Sequence, residues 1–317
     1  MKKRIISVLL ATVFALSVIG CGTKDTKEQD AYRQYGITCM ESGKYEDAVK
    51  AFQNALGESI GHIGEKELDI CFYKAKAQEL DGKTKDALAT YDAIIKYNKD
   101  ARAYYLRGDL YMDMGEEKKG KADFESAVQH GKKNYEIYIG IYESLSRHEK
   151  KDEGQKYLSA AMEIKGDKPE DELYKGRISY LLGENKDAIS YLEKAKEHKQ
   201  MLASYYLGLA YDANGDSDKA KKCIAEYIKS GVATSYDLYE LGMQEMQDGN
   251  YKNALTYFNS GLELEKVPNK QNLMKSAIAA YEYSSDFDSA KKMMKEYLKA
   301  YPDDEEAKHE NTFLETR

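Results

Sequence analysis

The chain has 317 residues, a net charge of −7, and charged side chains at 32% of its positions. This acidic balance makes nucleic acid and anionic lipid head groups unfavourable partners, because both carry negative charge. Proline occurs only three times, so few helices are interrupted, and the aromatic residues are mainly the 28 tyrosines, with no tryptophan.

The first twenty residues have the pattern of a targeting segment. Basic residues 2–4 precede an uncharged apolar run, 5–19, which has the length of a signal-peptide core and is short for a bilayer-spanning helix. The run ends in Val-Ile-Gly-Cys at residues 18–21, which resembles the bacterial lipobox. The resemblance implies cleavage before Cys21 and a diacylglyceryl group on its thiol; two acyl chains are enough for stable anchoring. An ordinary signal peptide and an uncleaved anchor are the alternatives.

We therefore predict a signal peptide over residues 1–20 and a lipidated tether over residues 21–28. The tether contains no apolar residues that a core could bury, and a flexible segment of this length spans about 15 Å. Removal of the signal peptide changes the net charge from −7 to −10. The predicted location is the outer face of the cell membrane, with the lipid on Cys21 as the anchor.

An internal repeat of about 34 residues follows the tether. The stretch from Gly36 to Ala48 recurs in outline at residues 108–120, 176–188, 208–220 and 242–254, and each unit carries two helical apolar stripes. Units begin near eight residues: Gln29, Leu68, Ala101, Tyr135, Pro169, Met201, Ser235 and Gln271. The pattern resembles the tetratricopeptide repeat, a helix-turn-helix unit. It implies an all-α fold, a right-handed superhelical solenoid of about eight repeats over residues 29–302, with a more polar capping helix within residues 303–317.

The residue types at three positions of each unit have a steric explanation. The eighth position, where two helices approach closely, is small in six units: Gly36, Ala75, Gly108, Gly176, Gly208 and Gly242. The twentieth position is small in all eight: Ala48, Ala87, Gly120, Gly154, Ala188, Ala220, Ala254 and Ala290. A large apolar residue follows four positions later, as in Phe52 and Phe258. Glycine in six turns favours a left-handed helix end.

Some units depart from this pattern. The eighth position is Tyr142 in the fourth unit and Ile278 in the eighth, and only Pro302 occupies the place of the family's proline. Residues 57–64 are expected to form a longer loop between the first two units. Cys39, Cys71 and Cys223 show no metal-ligand or C-x-x-C spacing and are expected to be small buried residues.

No catalytic motif emerges from the sequence. His148 and His309 each begin a partial H-E-x-x-H without the second histidine, and Ser289 begins an S-x-x-K without the partner motifs of its enzyme class. Glycine loops for phosphates or dinucleotides are absent from the sequence as well. The sequence therefore predicts a protein that is not an enzyme and that uses no metal or cofactor.

The family resemblance implies that first helices line a concave groove through their second, fifth, ninth, twelfth and thirteenth positions. These positions are charged in the first and fourth units, for example Arg33 and Glu143, and become apolar and aromatic from the fifth. The predicted partner-binding residues are Leu173, Tyr180, Leu181, Leu202, Tyr205, Leu209, Tyr236, Tyr239, Met243 and Met246. The alternative is that these side chains fill the core themselves.

The leading interpretation is a membrane-anchored scaffold that binds a protein or peptide partner, with a role in assembling an envelope complex as a narrower version. The groove positions lack the Lys, Asn and Arg clamp with which some family members hold a C-terminal carboxylate. A small-molecule or glycan binder, or an enzyme without a recognisable motif, is the alternative. Polar side chains that converge on one spot of the groove would favour that alternative.

Overall fold

The computed structural model describes residues 24–59, 63–166 and 168–317, and the predicted signal peptide and Cys21 lie outside these ranges. The described residues form 17 α-helices and no strand, as the repeat pattern predicts. The helices are α1 Lys24–Glu41, α2 Tyr45–Gly57, α3 Glu65–Leu80, α4 Thr84–Asn98, α5 Ala101–Asp113, α6 Glu117–His130, α7 Tyr135–Arg147, α8 Lys151–Met162, α9 Pro169–Leu182, α10 Asn185–Glu197, α11 Leu202–Ala213, α12 Ser217–Lys229, α13 Ser235–Gln247, α14 Tyr251–Leu262, α15 Lys270–Tyr283, α16 Phe287–Ala300 and α17 Glu305–Leu314.

The first sixteen helices form eight hairpins, and successive hairpins pack against each other, the sixth and seventh through Ile224, Leu238 and Leu241. Each begins within five residues of a predicted repeat start, because the apolar periodicity and the turn residues both mark the boundaries. Solenoids are stabilised in this way, through contacts between neighbouring repeats.

The hairpin turns adopt the left-handed conformation that the glycines predict. Gly43, Gly82, Gly115, Gly183, Gly215 and Gly249 all have positive φ, between 69° and 86°. The fourth and eighth hairpins have no glycine there, and Glu149 and Ser285 take the same conformation with φ of 62°. The turn geometry is therefore kept even where the residue is unfavourable for it.

The predicted close approach of the two helices is confirmed. A Cβ added to Gly36 would lie 2.6 Å from the Phe52 ring, and one added to Gly208 would lie 2.5 Å from Ile224. These contacts join the eighth position of a unit to the large residue at its twenty-fourth. All eight small residues at the twentieth position are buried.

The two helices of the fourth hairpin approach each other as closely, but here the large residue is on the first helix and the glycine is on the second. Tyr142 on α7 is 7% exposed, and a Cβ on Gly154 of α8 would lie 3.1 Å from its Cα. The space that glycine leaves on α8 accommodates the tyrosine on α7. Ile278 in the eighth hairpin is also buried, at 4% exposure.

Two expectations are corrected in detail. Helix α1 begins at Lys24, so residues 24–28 are helical rather than part of a flexible tether. Cys39 and Cys223 are buried as predicted, but Cys71 is only partly buried beside α4 and α5. None of the helices in the described ranges is long and apolar enough to cross a membrane.

Helix α17 covers the end of the last hairpin. Ala307 and Leu314 are buried against Met274, Met294 and Tyr297 of α15 and α16. Asp304 caps α17 by accepting a hydrogen bond from the backbone N–H of Ala307, and the Tyr297 hydroxyl and Lys275 ammonium also bind this carboxylate. These hydrogen bonds hold the pKa of Asp304 far below its usual value.

Candidate functional site

The helix contacts define an inner and an outer side of the solenoid. First helices pack against first helices of neighbouring hairpins, as α1 does with α3, α5 with α7, α9 with α11, and α13 with α15. In the described ranges, the second helices of neighbouring hairpins do not make comparable contacts with one another. The first helices therefore converge on the concave side, and the second helices diverge on the convex side.

The ten predicted groove residues differ in their exposure. Leu202 is exposed at 36%, and eight others are half-buried: Tyr180, Leu181, Tyr205, Leu209, Tyr236, Tyr239, Met243 and Met246. Leu173 is the exception, because it is only 8% exposed in a cluster with Leu192 and Leu207. Its assignment to a partner-binding surface was wrong, and it packs between the fifth and sixth hairpins.

Two predicted tyrosines also pack against the interior. The Tyr205 ring lies 5.3 Å from that of Tyr227 on α12, and the Tyr239 ring lies 6.2 Å from that of Phe258 on α14. Burial raises the pKa of Tyr205 well above its ordinary value. Each of these rings therefore has one side in the core and contributes only its remaining surface to the groove.

Apolar side chains continue along α13. Met243 and Met246 are half-buried against the cluster formed by Phe258, Leu273 and Ala277. The Met243 sulfur accepts a weak hydrogen bond from the Ser276 hydroxyl at 3.6 Å. Flexible methionine side chains at a partly open surface suit binding sites that must adapt to their ligand.

The charged residues of α11 and α13 are all acidic. Helices α11 and α13 contain no lysine or arginine, although the chain holds 48 basic residues. They carry Asp212, Asp237, Glu240 and Glu245, and burial raises the pKa of Glu240. We call α11 and α13, with the groove residues they carry, the apolar groove. Its electrostatics are unfavourable for an anionic ligand and favourable for a neutral or cationic one.

The first half of the concave side is different, because its charges pair with one another. Arg33 binds Asp69 at 2.6 Å, Arg147 binds Asp109 at 2.5 Å, and Arg177 binds Glu143 at 3.1 Å. Each pair joins two successive first helices. Polar groups do converge here, but the charged ones pair with each other and join neighbouring repeats.

Comparison with known families identifies the repeat. Models of the tetratricopeptide repeat match residues 36–95, 101–129, and 202–230 with 271–304. The chain carries tetratricopeptide repeats. No curated protein sequence matches this TPR chain.

Among solved structures, the TPR chain is similar to a tetratricopeptide repeat protein from Parabacteroides merdae. The two share 12% identity over 80% of this chain and 99% of that one, with a TM-score of 0.47. It is similar to the Cut9-Hcn1 complex of APC/C at 15% identity, covering 92% of this chain and 57% of that one, with a TM-score of 0.44. It is also similar to PilW, a type IV pilus biogenesis factor, at 17% identity over 66% and 97%, with a TM-score of 0.42.

Two residues beside the TPR groove, Arg177 and Tyr206, were not predicted from the sequence. Arg177 occupies the ninth position of the fifth repeat, bridges Glu136 and Glu143, and lies 5.5 Å from the Tyr206 ring. It separates the paired charges from the apolar groove. The position rule could have found Arg177, whereas Tyr206 sits at a sixth position that the rule does not assign to the groove.

Burial raises the pKa of Tyr236 on α13. This hydroxyl therefore stays neutral at the edge of the apolar groove.

One group of side chains has donor atoms suited to a metal ion. Asp109, Asp113 and His148 place one ligand atom each within 4.8 Å of the others. The Arg147 guanidinium already binds Asp109, and the His148 imidazole lies 3.1 Å from Asp113. The Asp109 carboxylate therefore already has a cationic partner in the protein, and the group forms part of an ion-pair network.

Proposed function

We propose that this protein is an extracytoplasmic scaffold, anchored to the outer face of the cell membrane through a lipid on Cys21, that binds a protein partner in its apolar groove. The proposed partner segment presents apolar side chains and carries no strong negative charge. The narrower version is a scaffold in the assembly of an envelope complex.

The observation that carries this proposal is the composition of α11 and α13. In a chain that is 32% charged, these inner helices expose part of Leu202, Tyr205, Tyr236, Tyr239 and Met243 where a solvated face would normally be charged. Apolar patches on a soluble surface commonly mark interaction sites. Aromatic residues and methionine are enriched at such sites.

A groove of this kind suits a peptide better than a small ligand. Its exposed side chains are spread over two helices, and the polar groups that converge nearby pair with each other. A specific small-molecule site usually needs a few convergent polar groups that remain available for the ligand. The absence of basic residues from α11 and α13 also argues against a carboxylate-terminated tail.

Photocrosslinking in the host tests the groove. A benzophenone amino acid is placed at Leu202 or Tyr236, and at Tyr191 on the outer helix α10 as the matched control. We expect a discrete crosslinked protein from the two groove positions and none from Tyr191. The same products from all three positions, or products from Tyr191 alone, would contradict the groove.

The anchor has its own test. Metabolic labelling with a fatty acid should label the parent protein and leave Cys21→Ser unlabelled as a precursor. Label that persists on Cys21→Ser would exclude Cys21 as the lipid site, whatever the groove binds.

A further inference from the structure

The two ends of the solenoid expose different chemistry. At the C-terminal end, α17 presents charged residues to solvent, among them Glu305, Glu306 and Lys308. At the N-terminal end, the exposed residues between positions 31 and 40 of α1 are all uncharged: Ala31, Tyr32, Gln34, Tyr35 and Thr38. We call these five residues the α1 face. Terminal repeats normally need a polar outer surface, and at this end two exposed tyrosines interrupt it.

Exposed charges flank the α1 face on the same helix, at Glu28, Asp30 and Glu41. Arg33, the one charged residue between positions 31 and 40, turns towards α3 and binds Asp69 at 2.6 Å. The uncharged surface is therefore limited to the stretch of α1 between Asp30 and Glu41.

Two tyrosines dominate the α1 face. Tyr32 is 38% exposed and Tyr35 is 57% exposed. They are three residues apart in the helix, so they project from the same side. Tyrosine combines an apolar ring with a polar hydroxyl, and it is enriched where proteins meet the boundary between lipid and water.

The position of this face in the chain indicates what covers it. Helix α1 begins at Lys24, three residues after Cys21, and such a segment spans at most about 10 Å. Tyr35 follows eleven residues later, roughly 17 Å along the helix. A lipid on Cys21 would therefore hold the whole α1 face within reach of the bilayer surface.

We propose that the α1 face lies on the bilayer, with Tyr32 and Tyr35 at the level of the lipid head groups. This inference rests on the lipid anchor of the proposed function. The contact between the α1 face and the bilayer is weak by itself. Because the anchor already holds the protein on the membrane, it raises the effective concentration of lipid at this face. The acidic chain gains nothing from anionic lipid, so the expected surface is zwitterionic.

Tryptophan fluorescence tests the contact directly, because the chain has no tryptophan of its own. Residues 1–22 are replaced by a decahistidine segment, which holds the protein on phosphatidylcholine vesicles that contain a small fraction of nickel-chelating lipid. The variants Tyr32→Trp and Tyr35→Trp report on the α1 face. Tyr283→Trp, at an exposed tyrosine on α15, is the matched control.

We expect the emission of Tyr35→Trp and Tyr32→Trp to shift to the blue on vesicles and to be largely quenched by brominated acyl chains. Tyr283→Trp should show neither effect. Tyr32→Glu in the Tyr35→Trp background should abolish the quenching while circular dichroism shows unchanged helicity. Phosphatidylglycerol vesicles should quench less than phosphatidylcholine vesicles.

Two results would overturn the proposal. One is a Tyr35→Trp signal that matches Tyr283→Trp on vesicles, which would mean that α1 stands away from the bilayer. The other is a blue shift in solution without vesicles, which would mean that a second copy of the chain covers the face. The artificial anchor separates both results from any failure of lipidation at Cys21.

Discussion

Gly36 on α1 lies against the ring of Phe52 on α2, so closely that a Cβ on residue 36 would be 2.6 Å from the ring's Cε1 atom. Phe52 is completely buried. Equivalent contacts join Gly108 to Phe124 and Gly208 to Ile224. The glycine of one helix and the large residue of the next therefore act as one packing unit.

Gly36→Ala should lower the free energy of unfolding by about 1–3 kcal/mol, because the added methyl group forces the buried ring to move. Gly57→Ala in the same hairpin is the control, since nothing lies within 4 Å of a Cβ there and its helix gains the better helix former. Urea denaturation followed by circular dichroism measures both. Equal stability of Gly36→Ala and the parent would contradict the close approach.

Glu149→Gly and Ser285→Gly should each stabilise the protein, by about 0.5–1 kcal/mol. Both residues have φ of 62°, and a side chain in this conformation is strained in a way that glycine is not. Part of the gain is lost because glycine makes the unfolded chain more flexible. A lower melting temperature for both variants would show that these turns are not left-handed.

The stability of the C-terminal end should fall as the pH rises. Burial, and then repulsion from Glu310 on α17, raises the pKa of Glu282 from 4.5 to about 7. Because the folded-state pKa lies above the unfolded one, the protonated carboxyl stabilises the fold at low pH, and this stabilisation disappears as the pH rises through about 7. Hydrogen exchange of α17 amides should be faster at pH 8 than at pH 5, after correction for the intrinsic rate.

Glu282→Gln should remove most of this dependence, because the neutral amide cannot be deprotonated. Glu296→Gln, at an exposed position on α16, should leave it unchanged. If α17 exchanges with the same corrected rate at both pH values in the parent, the Glu282–Glu310 contact does not control its docking.

Tyr205→Ala and Tyr239→Ala should each lower stability, by about 1–3 kcal/mol, because one side of each ring packs on Tyr227 or Phe258. These variants are therefore poor tests of binding. Thermal melts decide the point: melting temperatures equal to that of the parent would mean that both rings belong wholly to the groove.

The repeat could be read from the sequence because its signals are local and steric. Gly36, Ala48 and Phe52 recur at a fixed spacing, and each repetition strengthens the assignment. The exchange of large and small residues at Tyr142 and Gly154 could not be predicted, because the sequence does not show which of two crossing helices carries the small residue. The helical start at Lys24 was missed because residues 24–28 offer no apolar residue that marks a helix.

The groove was predicted less completely than the fold. A position rule places Tyr205 and Tyr239 on the concave side, but it cannot show how much of each ring the next helix covers. Leu173 follows the same rule and is buried, because α11 packs directly over α9. Exposure depends on how far neighbouring hairpins rotate relative to one another, and the sequence alone does not give this rotation.

The most direct test of the central claim is the affinity of the crosslinked partner for a groove variant. Leu202→Lys with Tyr236→Lys alters one exposed and one half-buried groove residue, and Tyr191→Lys on α10 is the control. Isothermal titration of the purified partner should show at least about a thirtyfold loss of affinity for the groove variant, corresponding to roughly 2 kcal/mol, and no change for the control. Unchanged affinity in a groove variant that keeps its helicity would contradict binding in the apolar groove.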